Sequence, residues 1–329
     1  MRRWLAAAKP LVVILAAAEG TETTDLIAPY AILAESGAVD VKIVAATTRP
    51  IQLMPGKASV APQMTLEALA RSRPQGPDVV IVPAMHRADD AGRSAWLRAQ
   101  AKAGARVMSI CDGAIVLANA GLLDGRHATV HWFSVDKLAK KHPKVTWRRD
   151  QRWVTDGRIT TTAGVSASAP ASLMLLRELA GDEVMRDTAR RLGLAEPEQR
   201  HVGGDYRLTG DGLGVAAKNM LSFWRRDDVG VPLAAGFDEL GFATVLDGWS
   251  RTYRSTAWAM APSGGVTSRH GLTVYGDARA PRRFDRRIAP AGPGAMEAVF
   301  GQIRAAYGQP TARFVALQLE HPYGALSAR

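Results

Sequence analysis

The sequence predicts an α/β protein whose main sheet is parallel and covered by helices on both faces. Short apolar or β-branched runs (Leu11 to Ala16, Val41 to Ala45, Val79 to Val82, Arg106 to Ile110) alternate with helix-like segments (Leu26 to Glu35, Thr65 to Arg71, Ser94 to Ala103). The runs are apolar along their whole length, as strands buried on both faces must be. The run before Cys111 also passes directly into an apolar helix, Ala114 to Ala120. A chain of 329 residues with 47% hydrophobic content suits about two domains with a sizeable core.

Leu11-Val12-Val13-Ile14-Leu15 reads as the first buried strand. Arg2 and Arg3 before Trp4 to Ala8, with the apolar run ending at Ala18, resemble a secretory leader. Lys9-Pro10 interrupts that stretch, and cleavage would delete a central strand. We therefore expect a cytoplasmic chain, periplasmic only if residues 1–18 act as a signal. No stretch is long enough to span a bilayer, so no membrane partner is expected. After the Ala114 to Ala120 helix come a Gly121 to Gly125 turn, a strand through Thr129-Val130-His131, and a polar helix, Val135 to Lys141. A hairpin follows, with Val145-Thr146-Trp147 and Trp153-Val154 before the Asp156-Gly157 turn and Ile159-Thr160-Thr161 after it. Helices Ala167 to Leu179 and Glu183 to Leu192 close this first domain, residues 1–195.

The net charge is +11, with basic residues concentrated from Lys137 to Arg152 and from Arg279 to Arg287. Neither run carries a stacking array or lies in a nucleic-acid module, so solvated faces and no direct nucleic-acid partner are expected. A single cysteine excludes an internal disulfide and a thiolate zinc site, and points to a reducing compartment. No metal or cofactor is expected.

That cysteine, Cys111, sits at the strand-to-helix turn Ser109-Ile110-Cys111-Asp112-Gly113, which pushes its side chain out of the sheet edge. Helix amides behind it would favour a thiolate, and small flanking residues suit so tight a turn. Position alone leaves two readings open, a reactive thiol and a buried inert one. Ligands of such sheets sit beyond the carboxyl ends of the strands, which places the Ala17 to Asp25 loop beside the elbow. Asp25 is then either a helix N-terminal acid or a proton carrier beside sulfur.

Five stretches, taken in order, resemble the ThiJ/PfpI family of the class I glutamine amidotransferase-like superfamily. They are Asp25-Leu26-Ile27-Ala28-Pro29-Tyr30, Ile110-Cys111-Asp112-Gly113-Ala114, Leu117 to Arg126, Ala128-Thr129-Val130-His131-Trp132 and Thr162-Ala163-Gly164-Val165-Ser166. The resemblance covers roughly residues 11 to 192 and implies a flavodoxin-like three-layer α/β/α sandwich. It further implies Cys111 as nucleophile, Asp25 as the acid beside it, with Glu19 and Glu22 as weaker alternatives, and His131 as base or hydrogen-bond partner.

Three departures narrow the function. The peptidase-like branch has histidine after the nucleophile, where this chain has Asp112, so peptidase activity is not expected. Two glycines that usually build an oxyanion hole are replaced by Ala84-Met85-His86. The amides of Asp112, Gly113, Ala84 or Met85 are left as candidate donors, and His86 is either a polar site group or a surface-loop residue. Gly164-Val165-Ser166-Ala167-Ser168-Ala169-Pro170 lacks the acid usual in a pocket floor, which implies a changed pocket. The nearest branch resembles isonitrile hydratase, with glyoxalase- or deglycase-type chemistry as neighbour. The same branch includes the ligand-binding halves of AraC-type regulators, so a non-enzymatic sensor is the alternative. Oxidation of Cys111 as a redox signal is a third reading.

Residues 196–329 echo the beginning. Val229 to Ala235 and Phe237 to Leu246 parallel the first strand and helix, setting Glu239 opposite Asp25, and Thr256 to Met260 with Val266 to Val274 parallel the second strand and its hairpin around Gly56. A helix, Gly294 to Tyr307, and a strand, Arg313 to Leu319, end the chain. This smaller, incomplete α/β domain has no second cysteine. Its open edges call for packing against the first domain or a second subunit, so a structural or homodimer-forming role is expected.

Overall fold

The computed structural model describes residues 8–290, 292 and 295–325. Arg2, Arg3 and residues 4–7 of the leader-like segment lie outside the described residues. Seven strands form the main sheet in the order Trp153–Asp156, Ile159–Thr162, Arg106–Ser109, Val79–Val82, Leu11–Ala16, Asp40–Ala45, Met64–Thr65. Every pairing is parallel except that of Trp153–Asp156 with Ile159–Thr162, which flank the Asp156-Gly157 turn. Leu11–Ala16 is central and buried along its whole length, the reason its sequence is uniformly apolar. Its alternate side chains feed two layers, Val12 and Ile14 with Leu26, Ile27 and Leu33 of the first helix on one face, Val13 and Leu15 with Leu97, Val116 and Leu117 on the other.

The first helix, Thr23–Ser36, starts where the Glu22 carboxylate accepts from the Asp25 amide and stops at Gly37, whose φ of 61° favours glycine. Because Glu22 is the cap, Asp25 lies in the first turn directly beyond the sheet edge.

In the second half Asp227–Pro232 and Ser255–Met260 pair in parallel, with Arg286–Arg287 on the outer side. The intervening helix Glu239–Ser250 packs along Thr23–Ser36. The hairpin Ile51–Met54 with Ala58–Val60 joins the hairpin Val266–Thr267 with Thr273–Gly276 through an antiparallel pairing of Val60 with Val274. The two halves thus meet helix on helix and hairpin on hairpin. At this seam Leu246 fills the space left by Gly56, where a Cβ would stand 2.4 Å from Leu246 Cγ.

Two expected strands differ in the structure. The segment expected as Arg313 to Leu319 lies mostly in a helix, Gln309–Gln318. Buried Ala312, Val315, Ala316 and Leu319 recur at helical spacing, and that stripe packs against the helix Ala295–Tyr307. The strand expected through Thr129 to His131 is reduced to His127–Ala128 pairing with Thr146–Trp147, so Val145-Thr146-Trp147 stands apart from the hairpin it was expected to join. Beyond it, the Thr129 amide is taken by the Thr161 hydroxyl (2.7 Å), a side chain standing where a strand neighbour would.

Candidate active site around Cys111

The strand Arg106–Ser109 ends two residues before Cys111, whose φ of 54° is strained for a residue with a side chain. The turn is pinned by the Cys111 amide, which donates to the Ala163 carbonyl (3.1 Å) and the Thr162 hydroxyl (3.2 Å). Gly113, opening the helix Gly113–Asn119, lies so close to the neighbouring strand that a Cβ would fall 2.0 Å from the Val82 carbonyl oxygen. The thiol is 6% exposed. Burial, then the carboxylates of Asp25, Asp112 and Glu22, push its pKa well above the ordinary range, against a hydrogen bond from the Asp112 amide. The elbow is as expected from the sequence, but its surroundings hold the proton on sulfur rather than releasing it.

Asp25 is fully buried. Its Oδ2 accepts from the Ala84 amide (3.2 Å) and its Oδ1 from the Ser168 hydroxyl (3.3 Å). Burial raises its pKa to about 7, with Asp247 adding to the rise and the Ala84 amide opposing it. An acid poised there exchanges protons near neutral pH. Glu22 belongs to the same group: its Oε2 accepts from the Asp25 amide (2.6 Å) and its Oε1 from Arg251 Nη2 (2.7 Å). Burial, then Asp247 and Asp25, push its pKa well up. Arg251 also donates to Asp247 Oδ1 (2.5 Å), whose Oδ2 accepts from the Thr24 hydroxyl (2.8 Å). Burial opposes the charge on Arg251, yet Asp247 and Glu22 hold it protonated.

The remaining sequence-predicted residues fall into three places. Ala84 and Met85 line the elbow side, but the Ala84 amide is committed to Asp25 and its carbonyl to the Glu22 amide, while Met85 bridges to Thr21. Glu19 and His86 lie outside, on the surface: His86 Nδ1 donates to the Glu19 carbonyl (3.2 Å), and the Glu19 carboxylate faces Arg93. Asp112 turns its Oδ2 to the Ser134 hydroxyl (2.9 Å). Burial raises its pKa, and His131 works against that rise.

His131 and Gly164 meet the end of the chain. His131 Nε2 donates to the Gln318 carbonyl (2.9 Å) while its Nδ1 accepts from the Phe133 amide (3.3 Å), so both ring nitrogens are engaged away from sulfur. The buried Glu320 carboxylate accepts from the amides of Gly164 (2.7 Å) and Trp132 (3.1 Å) and faces His201 Nε2 (2.7 Å). A Cβ on Gly164 would lie within 2.6 Å of Glu320 and of His131. Sequence reasoning missed Arg251, Asp247, Ser168 and Glu320. Each lies more than 50 residues from Cys111; Ser168 stands in the pocket-floor stretch without a mark of its own, no local pattern marks Glu320, and Asp247 and Arg251 form only an ordinary helical i,i+4 pair. Among the described residues no group of three His, Cys, Asp or Glu side chains is placed to hold a metal ion, and no helix is long and apolar enough to cross a membrane.

Residues 11–178 match the family model described as DJ-1/PfpI family. Isonitrile hydratase of Pseudomonas putida is 32% identical over 161 residues, 48% of this chain and 67% of that one. The HTH-type transcriptional regulators CdhR of Pseudomonas aeruginosa and GlxA of Rhizobium meliloti are 34% and 35% identical over 108 and 105 residues. These matches span 32% of this chain and only about a third of the length of either regulator. Among solved structures, Drosophila melanogaster DJ-1beta superposes with a TM-score of 0.50 at 24% identity, covering 57% of this chain and 99% of that one, and shows the shared fold. With its elbow, its parallel sheet and half of its length matched, the chain belongs to the DJ-1/PfpI family.

Proposed function

We propose that the chain is a cysteine-dependent enzyme that adds water to a small carbon electrophile, as the name of its isonitrile hydratase relative describes. Glyoxalase- or deglycase-type chemistry on 2-oxoaldehydes is the neighbouring possibility. The observation that carries the reading is the pairing of a protonated thiol on a strained elbow with a buried acid whose pKa is about 7. Such a pair moves one proton in each direction at neutral pH.

For an isocyanide the steps balance as follows. Ionised Asp25 takes the thiol proton as sulfur bonds to the terminal carbon, and returns it to that carbon, giving a thioformimidate on Cys111. Water adds to the same carbon, the carbon–sulfur bond breaks, and a proton from the added water is returned to sulfur. The product is an N-substituted formamide, and the second proton of the water resides on its nitrogen. Asp25 is the proton carrier and Cys111 the nucleophile; the Asp112 amide, already directed at sulfur, steadies the charge that builds there. His131 keeps its bonds to the terminal segment and shapes the wall.

A second reading, a small-molecule sensor without its own DNA-binding domain, draws support from the 6% exposure of the thiol and from the regulator relatives. Wild type, Cys111→Ala and Asp25→Asn assayed against isocyanides and 2-oxoaldehydes separate the two. The enzyme reading expects turnover in wild type, its loss in Cys111→Ala, and a fall of about 10²–10⁴-fold in Asp25→Asn. Absent or equal turnover in all three, with saturable ligand binding retained, overturns it in favour of the sensor.

A further inference from the structure

The cation of the site does not come from the half of the chain that carries the nucleophile. Glu22 and Asp25 face Cys111 from the first helix, Asp112 from the elbow itself, and His131 and Glu320 lie beyond Asp112. The neutralising charge is Arg251, at the end of the helix Glu239–Ser250 of the second half. Its Nη2 reaches Glu22 Oε1 at 2.7 Å, and Asp247, one turn earlier, fixes its Nε. The Thr24–Asp247 hydrogen bond (2.8 Å) and the packing of the two helices hold this bridge across the seam.

We propose that the second half completes the Cys111 site within one chain: Arg251, oriented by Asp247, is a positioning residue that sets the charge balance of Glu22, Asp25 and Cys111. It follows that the site is whole in a monomer. The first helix, the surface on which another copy would have to lie to reach Glu22, is already covered by the chain's own second half. Arg251 lowers the pH at which Asp25 and Asp112 ionise as well as that of Glu22. This proposal deepens the enzymatic reading by assigning control of that same site, and it also stands for a sensor thiol.

Cys111 is the sole cysteine of the chain, so alkylation of the full-length protein by iodoacetamide reads this site alone. The rate is followed from pH 7 to 10 in wild type, Arg251→Lys, Arg251→Met and the double variant Glu22→Gln/Arg251→Met. Removing the cation makes the thiolate harder to form. Arg251→Met is expected to alkylate about tenfold more slowly at pH 8, with its profile moved to higher pH by about one unit. Arg251→Lys stays within about twofold of wild type, and the double variant, which removes both members of the ion pair, recovers most of the rate. Mere loosening of the seam would expose a buried thiol and accelerate alkylation, the opposite sign. An Arg251→Met rate equal to or above that of wild type overturns the proposal. Should that variant not fold, Glu22→Gln alone decides: loss of a neighbouring negative charge moves the profile to lower pH, and an unmoved profile overturns it. Sedimentation velocity in the same samples reports whether reactivity needs a dimer; a thiol that reacts in this way only as a dimer also overturns the proposal. Because no turnover is measured, failure of the hydratase assay and failure here are separate results.

Discussion

Asp25 and Glu239 each lie in the first turn of a helix, Asp25 in Thr23–Ser36 and Glu239 in Glu239–Ser250, and these two helices pack together. Their environments have opposite effects. Asp25 is buried among the Ala84 amide, the Ser168 hydroxyl and the Glu22 carboxyl, and its pKa rises to about 7. Glu239 is equally buried, but it accepts from the His270 amide (2.7 Å) and pairs with His270 Nδ1 (3.0 Å), and these hydrogen bonds outweigh burial and lower its pKa. The first half keeps a buried acid without a cation bonded to it, ready to exchange a proton. The other ties its acid to a base that also reaches Glu35 at the end of the first helix (3.1 Å). On the proposed reading, one half holds reactive groups under strain and the other holds them in place.

The largest effect that tests this contrast is the pH dependence of Asp25. Its folded pKa lies above its unfolded value of 3.8, so the folded state binds the extra proton between these limits. Stability is then greatest below about pH 4 and falls as the pH rises toward 7. Asp25→Asn removes that fall. Urea unfolding is expected to show near-equal stability of variant and wild type at pH 4 and a gain for the variant on the order of 4 kcal/mol at pH 8. A variant that gains nothing between pH 4 and 8 would mean that Asp25 is as well satisfied as Glu239, and the contrast fails.

Next in size is Gly113→Ala. The new methyl group would meet the Val82 carbonyl oxygen, a backbone atom that cannot turn away. A loss of about 3 kcal/mol and a lower thermal midpoint by calorimetry are expected. At the seam, Gly56→Ala meets only the Leu246 side chain, which can change rotamer, so its cost is expected to be clearly smaller. Equal costs would show that the elbow is no tighter than the interface between halves.

How much of this was legible beforehand follows the distance between interacting residues. The central strands were readable because burial on both faces leaves a continuous apolar run, and the elbow because Cys111, Asp112 and Gly113 are adjacent. The Asp25 position was readable because the loop after the first strand must end beside the same sheet edge. Arg251 was not, since it meets Glu22 across 229 residues. Gln309–Gln318 was misread because Phe314-Val315-Ala316-Leu317 is short, apolar and partly β-branched, and only the wider spacing Ala312, Val315, Ala316, Leu319 reveals the helical face. His131 lies in the stretch that carries the family resemblance, yet its ring nitrogens are occupied by Gln318 and Phe133, a commitment that depends on where the end of the chain docks.

The smallest of these effects concerns the second half's own pair. Hydrogen bonding to Glu239 raises the pKa of His270, helped by the charges of Glu239 and Glu35 and opposed by burial. A histidine whose folded value lies above its unfolded value stabilises the fold fully below about pH 6.5, and that contribution is lost as the pH rises through the folded value. His270→Gln is therefore expected to cost about 1 kcal/mol at pH 6 and distinctly less at pH 9, measured as the change in urea midpoint at constant slope. The Asp25 effect is complete only about one unit above its pKa of about 7, so a difference between pH 8 and 9 isolates the His270 part. An equal cost at pH 6 and 9 would reduce His270 to a packing residue, and the division between a reactive half and a bracing half would then rest on Arg251 alone.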